Sequence, residues 1–430
     1  MNIETLDREE LEKHQLQGLA FTLGQAFRTD FYRRRLPQAG LKPGDPVSSF
    51  EDFRRLPFTT KDDLRDAYPF GFLGVPKTEV VRLHASSGTT GIPTAIYHSR
   101  EDLAAWTEIV VRSLKAVGAG PEDVFQNMMS YGLFTGGLGL HYGAESLGMM
   151  VIPSGAGNTV RQFRLMRDFR TTVVHATPSY MLHLHDKLQE NGIRREDLAL
   201  RKAVVGGEPH SEDVRRKIES LFAIDVYNCY GLSELNGPGV AFECVEKSGM
   251  HLWEDSFIME IIDPDTLEPV PEGEAGELVL TTLRRRATPL IRYRTRDLTA
   301  IVKGACPCGR THRRIMRIKG RTDDMLVING VNVFPSQIEE VIMKMKEIGN
   351  NYQILVEKTG ALDRITVKTE VTPTLFSDDA RDLNAIRDRI KENLRALISI
   401  SPVVELHEPG FLPAWEGKAK RVVDTRKEIP

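Results

Sequence analysis

Residues 84–99, HASSGTTGIPTAIYHS, set two serines, two threonines and two glycines into the six positions from Ser86 to Gly91. The N–H groups of a glycine-rich turn, with Ser and Thr hydroxyls, form a nest suited to phosphate oxygens. The same composition also serves an ordinary surface turn. A P-loop would need a lysine after its glycines and a helix behind it. Here Gly91 is followed by Ile92, Pro93 and Thr94 and then a β-prone run, which disfavours a P-loop NTPase. Ser86, Ser87, Gly88, Thr89, Thr90 and Gly91 are therefore candidates for a phosphate grip made of amides and hydroxyls, without a cation.

A second constellation is made of sulfur and imidazole. Cys306 and Cys308 in ACPCGRTH, with Cys244 and His251 in FECVEKSGMH, could hold tetrahedral zinc as a Cys₃His set. The C-x-C spacing is tighter than usual for zinc pairs, and His312 competes with His251 for the fourth place. A dithiol or simply unpaired cysteines are the alternatives. Cys229 lies in an apolar run and reads as core.

The elements around these groups change character along the chain. The first 75 residues read as helices and turns. From about 80, VVRLHA and TAIYHS are strands on either side of the glycine loop, and REDLAAWTEIVVRSLKAVG has helical spacing of apolar residues. MMVIP, TVVHATPS, KAVVGGEP and IDVYNCYG follow as short apolar strands separated by helical patterns, which argues for parallel sheets flanked by helices. SFIMEIID, GELVLTT and LTAIV read as hairpins. The last hundred residues read as a compact α+β unit, with strands MLVI, YQILVE, RITVKTEV and VVELHE and helices from about Pro335 and across RDLNAIRDRIKENLRALI. The boundary falls in the polar stretch RIKGRTDD, 317–324.

Bulk properties narrow the function classes. A chain of 430 residues is too long for one ordinary core and predicts two domains. Its 57 basic and 60 acidic residues give a net charge of −3, with no electrostatic reason to expect nucleic acid. No apolar run approaches the roughly 20 residues that span a bilayer. The polar start MNIETLDREELEKHQ is unlike a signal peptide, so a soluble cytoplasmic protein is expected.

Five motifs then acquire meaning together. SSGTTGIPTAIYHS resembles the phosphate loop of the adenylate-forming superfamily of acyl-CoA synthetases, adenylation domains and luciferases. YGLSE (230–234) resembles its aromatic-Gly-x-[ST]-Glu motif, and RYRTRDL (292–298) its ribose-binding segment. GRTDD (320–324) resembles its hinge, and EGKAKR (416–421) its catalytic-lysine motif. Within the superfamily, LPFTTKDDLRDAYPFG, YGLFTGGLGLHYGAE, TPSYML and NGVNVFPSQIEE resemble bacterial phenylacetate–CoA ligases, essentially along the whole chain.

The resemblance implies an α/β fold. A large N-terminal domain, 1–322, would have parallel-rich sheets flanked by helices plus a β-hairpin region. A small mobile α+β domain, 323–430, would close on it as a lid. It implies an ATP-dependent aryl acid–CoA ligase, with ATP, Mg²⁺ and coenzyme A required, an acyl adenylate as intermediate, and pyrophosphate and AMP as products. Partners would be the small molecules alone, with no nucleic acid or membrane, and a homodimer is left open. Alternatives are an adenylating enzyme that passes the acyl group to a carrier protein, and a non-catalytic nucleotide-sensing or zinc-stabilised scaffold.

Residue by residue, the resemblance assigns Lys418 to bridge substrate carboxylate and α-phosphate, and Glu234 to bind Mg²⁺. Gly207, Glu208 and Pro209, after Gly206, would wall the adenine, with Asn228, Tyr230, Gly231 and Ser233 beside it. Asp297 would accept from the ribose hydroxyls, aided by Arg321, and Asp323 would be the hinge. Tyr131, Phe134, Gly136 and Gly137 would wall an aryl or arylacetic acid. The resemblance also supports a structural metal at the cysteines. The loop departs from the family by having no lysine at Ile92 or Thr94, and Tyr97 would add bulk there.

Overall fold

Fully buried, valine-rich runs such as Val173–Ala176 and 203–205 cannot alternate between core and solvent, so they sit inside a sheet covered on both faces. The computed structural model, which describes residues 2–86, 93–133, 135–359, 362–372, 380–413 and 420–427, places them at the centre of the largest sheet. Its parallel half runs 225–232, 202–205, 173–176, 124–127, 150–152. Helices Gly136–Leu147, Thr159–Asp168, Pro178–Leu188 and Glu212–Phe222 make the crossovers. Beyond Leu232 the sheet continues antiparallel through Gly237–Glu243, Met250–Leu252, Arg314–Ile315 and Ile301–Val302.

A second, antiparallel sheet joins Phe257–Ile262, Gly276–Thr282, Tyr293–Thr299 and Gly320–Arg321. The expected strand LTAIV is thus divided at Ala300: its first residues belong to this sheet and Ile301–Val302 to the large one. The strands Val80–Ser86 and Thr94–Ser99 pair antiparallel, so residues 87–92 do lie between two strands, as expected. Those six loop residues, like Phe134 and Lys418, lie outside the described residues.

The helix after the second of these strands shows how the chain is pinned. Ser99 Oγ accepts the Asp102 N–H (3.2 Å), and the Asp102 carboxylate accepts the Ser99 N–H (2.8 Å), a capping box. The same carboxylate accepts the N–H groups of Arg286 and Ala287, tying the helix to the antiparallel sheet.

The C-terminal unit is a sheet in the order 403–407, 362–371, 348–359, 422–424, with helices Pro335–Met343 and Ala380–Ile398 on it. The edge strand Val422–Asp424, parallel to Ile348–Thr359, is not evident from the sequence, because three apolar or acidic residues carry no periodicity. One apolar cluster runs from Phe163, Leu184 and Phe222 on the large unit's helices into Ile338, Ile342 and Ile354 of the small one.

Candidate active site

The described candidate residues of the large sheet lie at the carboxyl ends of its parallel strands, where open α/β sheets bind ligands. Gly206 and Gly207 follow the strand Lys202–Val205 directly. A Cβ on Gly206 would come 2.5 Å from the Cys229 carbonyl oxygen, and Gly207 has φ +82°. Glu208 then accepts the Ser179 N–H at 2.7 Å, joining this turn to the start of the neighbouring helix.

The strand Asp225–Leu232 carries Asn228, Tyr230 and Gly231. Its register is held by the Asn228 N–H donating to Glu243 Oε2 (2.7 Å). Any Cβ on Gly231 would fall 1.6 Å from the Gly237 carbonyl oxygen, so the two strands cross too closely here for another residue. A 3₁₀ turn, Ser233–Leu235, follows, with Ser233 Oγ 3.3 Å from Thr135 Oγ1.

Glu234 is 4% exposed, not a surface helix-start residue, and its Oε1 has no hydrogen-bond donor among the described residues. Lys61 Nζ stands 3.2 Å from that oxygen as an ion pair. A buried carboxylate oxygen left short of donors fits a hard divalent cation. Sequence reasoning passed over Lys61, although it lies in the quoted stretch TTKDD.

Tyr230 and Asp297 meet directly, the Tyr230 hydroxyl donating to Asp297 Oδ2 at 2.6 Å. Arg321 donates to the other oxygen of Asp297 through Nη1 (3.1 Å) and clasps Asp323 through Nε and Nη2 (2.8 and 2.9 Å). Burial pushes the Asp297 carboxyl up to about 6, only partly opposed by Arg321 and Tyr230. Thus ribose-segment and hinge residues form one connected group, with Arg321 as the link.

The aromatic segment expected to wall the acid is not a strand-loop. From Gly136 it is a helix, and Gly137 begins it so close to Ser130 that a Cβ would meet its carbonyl oxygen at 2.7 Å. Asn127 Nδ2 donates to Tyr131 Oη (3.0 Å) and to the Gly137 carbonyl (2.7 Å). In its neutral form His141 donates from Nε2 to Glu145 (2.9 Å) and accepts from the Tyr131 hydroxyl at Nδ1 (3.1 Å). Deeper in, His175 Nδ1 lies 3.0 Å from Asn127 Oδ1, and burial pulls its pKa down to about 3. Tyr131 therefore has one acceptor position left. The Tyr97 hydroxyl donates to the Pro69 carbonyl (2.9 Å) and its ring stacks on Phe70.

Away from this centre, the ligand atoms of Cys244, His251, Cys306 and Cys308 all lie within 4.8 Å of one another. Cys244 Sγ and Cys306 Sγ are 3.7 Å apart, and Cys308 Sγ is 3.3 Å from His251 Nε2. His251 donates its Nδ1 proton to the His312 carbonyl (3.1 Å), leaving Nε2 for a metal, the usual backing of a ligating histidine. His312 is excluded as the fourth ligand by its own bonds to Ile3 and Glu254. Burial pushes the Cys244 thiol up to about 12. For Cys308 the Arg310 N–H and guanidinium outweigh burial and hold the thiol down.

Two family descriptions match the chain, "AMP-binding enzyme" over residues 65–282 and "AMP-binding enzyme C-terminal domain" over 330–426. It is 46% identical to a phenylacetate–coenzyme A ligase of Thermus thermophilus, over 99% of each chain. A phenylacetate–coenzyme A ligase of Escherichia coli is 44% identical over 99% of this chain and 98% of its own. Among solved structures, 2-hydroxyisobutyryl-CoA ligase in the postadenylation state superposes with a TM-score of 0.93 at 30% identity, covering 99% of this chain and 92% of that one. The same ligase in the thioesterification state, at the same coverage, gives 0.72.

Proposed function

The chain belongs to the phenylacetate–CoA ligase family of AMP-binding, adenylate-forming enzymes, and from that premise we propose that its acid substrate is an arylacetate, with phenylacetate foremost. It is an ATP-dependent acid–CoA ligase. A carboxylate oxygen attacks the α-phosphorus of ATP, and pyrophosphate leaves with the bond electrons. The CoA thiolate then attacks the acyl carbon, and AMP leaves. Bringing an anion against an anion calls for positioning and charge neutralisation more than for covalent catalysis.

In our reading Asp297 accepts from the ribose hydroxyls, Tyr230 lies against the base, and Gly207, Glu208 and Pro209 with Asn228, Gly231 and Ser233 frame it. Glu234 holds Mg²⁺, which would neutralise polyphosphate charge. The loop from Ser86 through Gly91 grips phosphate, Lys61 supplies a cation that the loop lacks, and Lys418 supplies the charge at the reacting centre. Tyr131, Phe134, Gly136 and Gly137 wall the acid. With one acceptor position remaining, Tyr131 suits a ring hydroxyl that donates. The boundary between the two domains falls at 322/323. Cys244, His251, Cys306 and Cys308 hold structural zinc, whose chemistry there is only to cross-link two hairpins. The cytoplasm is the compartment that supplies ATP and CoA.

The observation carrying this reading is the connected group Tyr230–Asp297–Arg321 beside the buried, donor-poor Glu234. The test is AMP and pyrophosphate release with phenylacetate, benzoate, hydroxyphenylacetates and indoleacetate, with and without CoA. AMP release with arylacetates only when CoA is present supports the proposal. Pyrophosphate release with an arylacetate that CoA does not convert into AMP release would point to another acyl acceptor, such as a carrier protein, and no turnover with any arylacetate would overturn the substrate class.

A further inference from the structure

A partly buried polar cluster joins the small domain to the large one beside the proposed adenine wall. Glu339, on the helix Pro335–Met343, is 7% exposed. Its Oε1 accepts the Ser211 N–H at 3.1 Å, from the start of a large-domain helix. Its Oε2 accepts the Tyr352 hydroxyl at 2.7 Å. The Arg421 guanidinium lies over the Tyr352 ring, 4.1 Å from its centroid. Arg421 Nη1 is buried with no hydrogen-bond partner among the described residues. The hydrogen-bonded chain from the Ser211 N–H through Glu339 to Tyr352 therefore runs from one domain into the other.

Arg421 stands three residues after Lys418 in sequence, and its carbonyl accepts the Ile354 N–H at 2.7 Å, which pins Arg421 to the small domain's sheet. Other polar contacts across the boundary, among the described residues, involve exposed groups, with Ser336 Oγ donating to the Lys319 carbonyl and Arg321 to Asp323. Asn350 donates to Asp186 at 2.8 Å between exposed groups, and Lys344 stands 3.9 Å from Asp213. Exposed pairs of that kind contribute little, whereas a buried charge that loses its partner is costly. The cluster is thus the polar contact best able to bias the position of the small domain.

We propose that Glu339, Tyr352 and Arg421 are positioning residues that latch the small domain onto the Ser211 N–H in the adenylation arrangement. The latch rests on the assignment of Lys418 made above. It opens when the small domain turns for thioester formation, because its two halves then part company. A contact made in only one of two states shifts the balance between them by its own free energy. The latch therefore favours the first half-reaction and is dispensable in the second.

The experiment uses the full chain and measures two half-reactions: ATP–pyrophosphate exchange with phenylacetate, and thioester formation from supplied phenylacetyl adenylate and CoA. Glu339→Gln, close to isosteric, and Arg421→Ala should each slow exchange by about tenfold or more, the scale for displacing a catalytic group. Thioester formation should stay within about twofold of the parent in both. The double variant should lose no more than the worse single one, since both break one latch. Lys344→Ala should leave both half-reactions unchanged. Equal losses in the two half-reactions, or undiminished exchange, would overturn the latch. Lys418→Ala is run in parallel. If it too leaves exchange intact, the Lys418 assignment itself fails; if it abolishes exchange while Arg421→Ala does not, only the latch fails.

Discussion

The Tyr230 hydroxyl donates to Asp297 Oδ2 across 2.6 Å, and with Arg321 it is what keeps a buried carboxyl ionisable near neutral pH. Burial still raises that carboxyl from 3.8 to about 6. A carboxyl raised in this way stabilises the fold through its protonated form. That contribution is complete below about pH 4 and is lost as pH rises through about 6. Nucleoside binding has the opposite sign, because two ribose hydroxyls need an ionised acceptor. Adenosine, which has no phosphate to titrate, should bind with constant affinity above about pH 7 and ever more weakly below about pH 6. Tyr230→Phe removes a donor to the ionised form and should move the inflection to higher pH. Calorimetric titration from pH 5 to 8 reads both, and a flat profile in the parent protein would remove Asp297 from the ribose site.

Lys61 gives a second prediction. Its ammonium stands 3.2 Å from Glu234 Oε1, in a site where a metal and a polyphosphate would arrive together. If the lysine turns to the phosphates once the metal takes the carboxylate, Lys61→Met should raise the KM for ATP by about tenfold, the value of a hydrogen bond to a charged group. Glu234→Gln should instead raise the Mg²⁺ concentration needed for half-maximal rate. Initial rates over a grid of MgATP and free Mg²⁺ separate the two. A lower KM in Lys61→Met would mean that the lysine merely competes for the carboxylate.

What the sequence shows of this site, and what it hides, has physical causes. The glycine loop is legible because β-prone runs flank it, and Glu234, Asp297 and Arg321 because each sits in a short motif whose order along the chain is specific. Lys61 is not legible: Thr60 and Asp63 form a capping box around it, so it looks like the first residue of an ordinary surface helix. The helix Gly136–Leu147 is masked by glycines that lower helix propensity. They are required because Cβ atoms at Gly139 and Gly143 would come 2.3 Å from Trp106 and 2.1 Å from Val110, so helix packing overrides propensity. The choice between His251 and His312 also depends on tertiary partners, which spacing alone does not carry.

The sulfur cluster predicts a measurable metal. The fit of Cys244, His251, Cys306 and Cys308 to a tetrahedral ion leads to about one zinc per chain in protein purified without a histidine tag. Less than half an equivalent would argue against it. The same loop holds the N-terminus: Arg310 Nε donates to Glu4 Oε2 (2.6 Å), the Thr311 N–H to the Glu4 carbonyl (3.0 Å), and His312 Nε2 to the Ile3 carbonyl (3.0 Å). Cys308→Ser should therefore lose zinc, lower Tm by at least about 3 °C and open the first residues to proteolysis. Unchanged cleavage near residue 5 would uncouple the metal loop from the N-terminus.

The hinge provides the sharpest separation of binding from turnover. Arg321 belongs to the large domain's sheet, where it pairs with Asp297, while its guanidinium clasps Asp323 just beyond the sheet's edge. Rotation of the small domain needs a change of backbone angles at a few residues after this anchor. Proline at 323 would fix φ near −65° and bias Thr322 toward extended conformations, while leaving Asp297 and Arg321 in place. Asp323→Pro should bind adenosine within about threefold of the parent and yet lose at least about tenfold in steady-state CoA thioester formation, since each cycle needs both domain arrangements. To keep a folding defect from counting as support, the variant must also keep a pH-dependent adenosine profile, its inflection moved if anything to lower pH because the Asp323 carboxylate that helps raise Asp297 is gone. Thioester turnover at the parent's rate would move the hinge away from Asp323 and with it the domain boundary at 322/323.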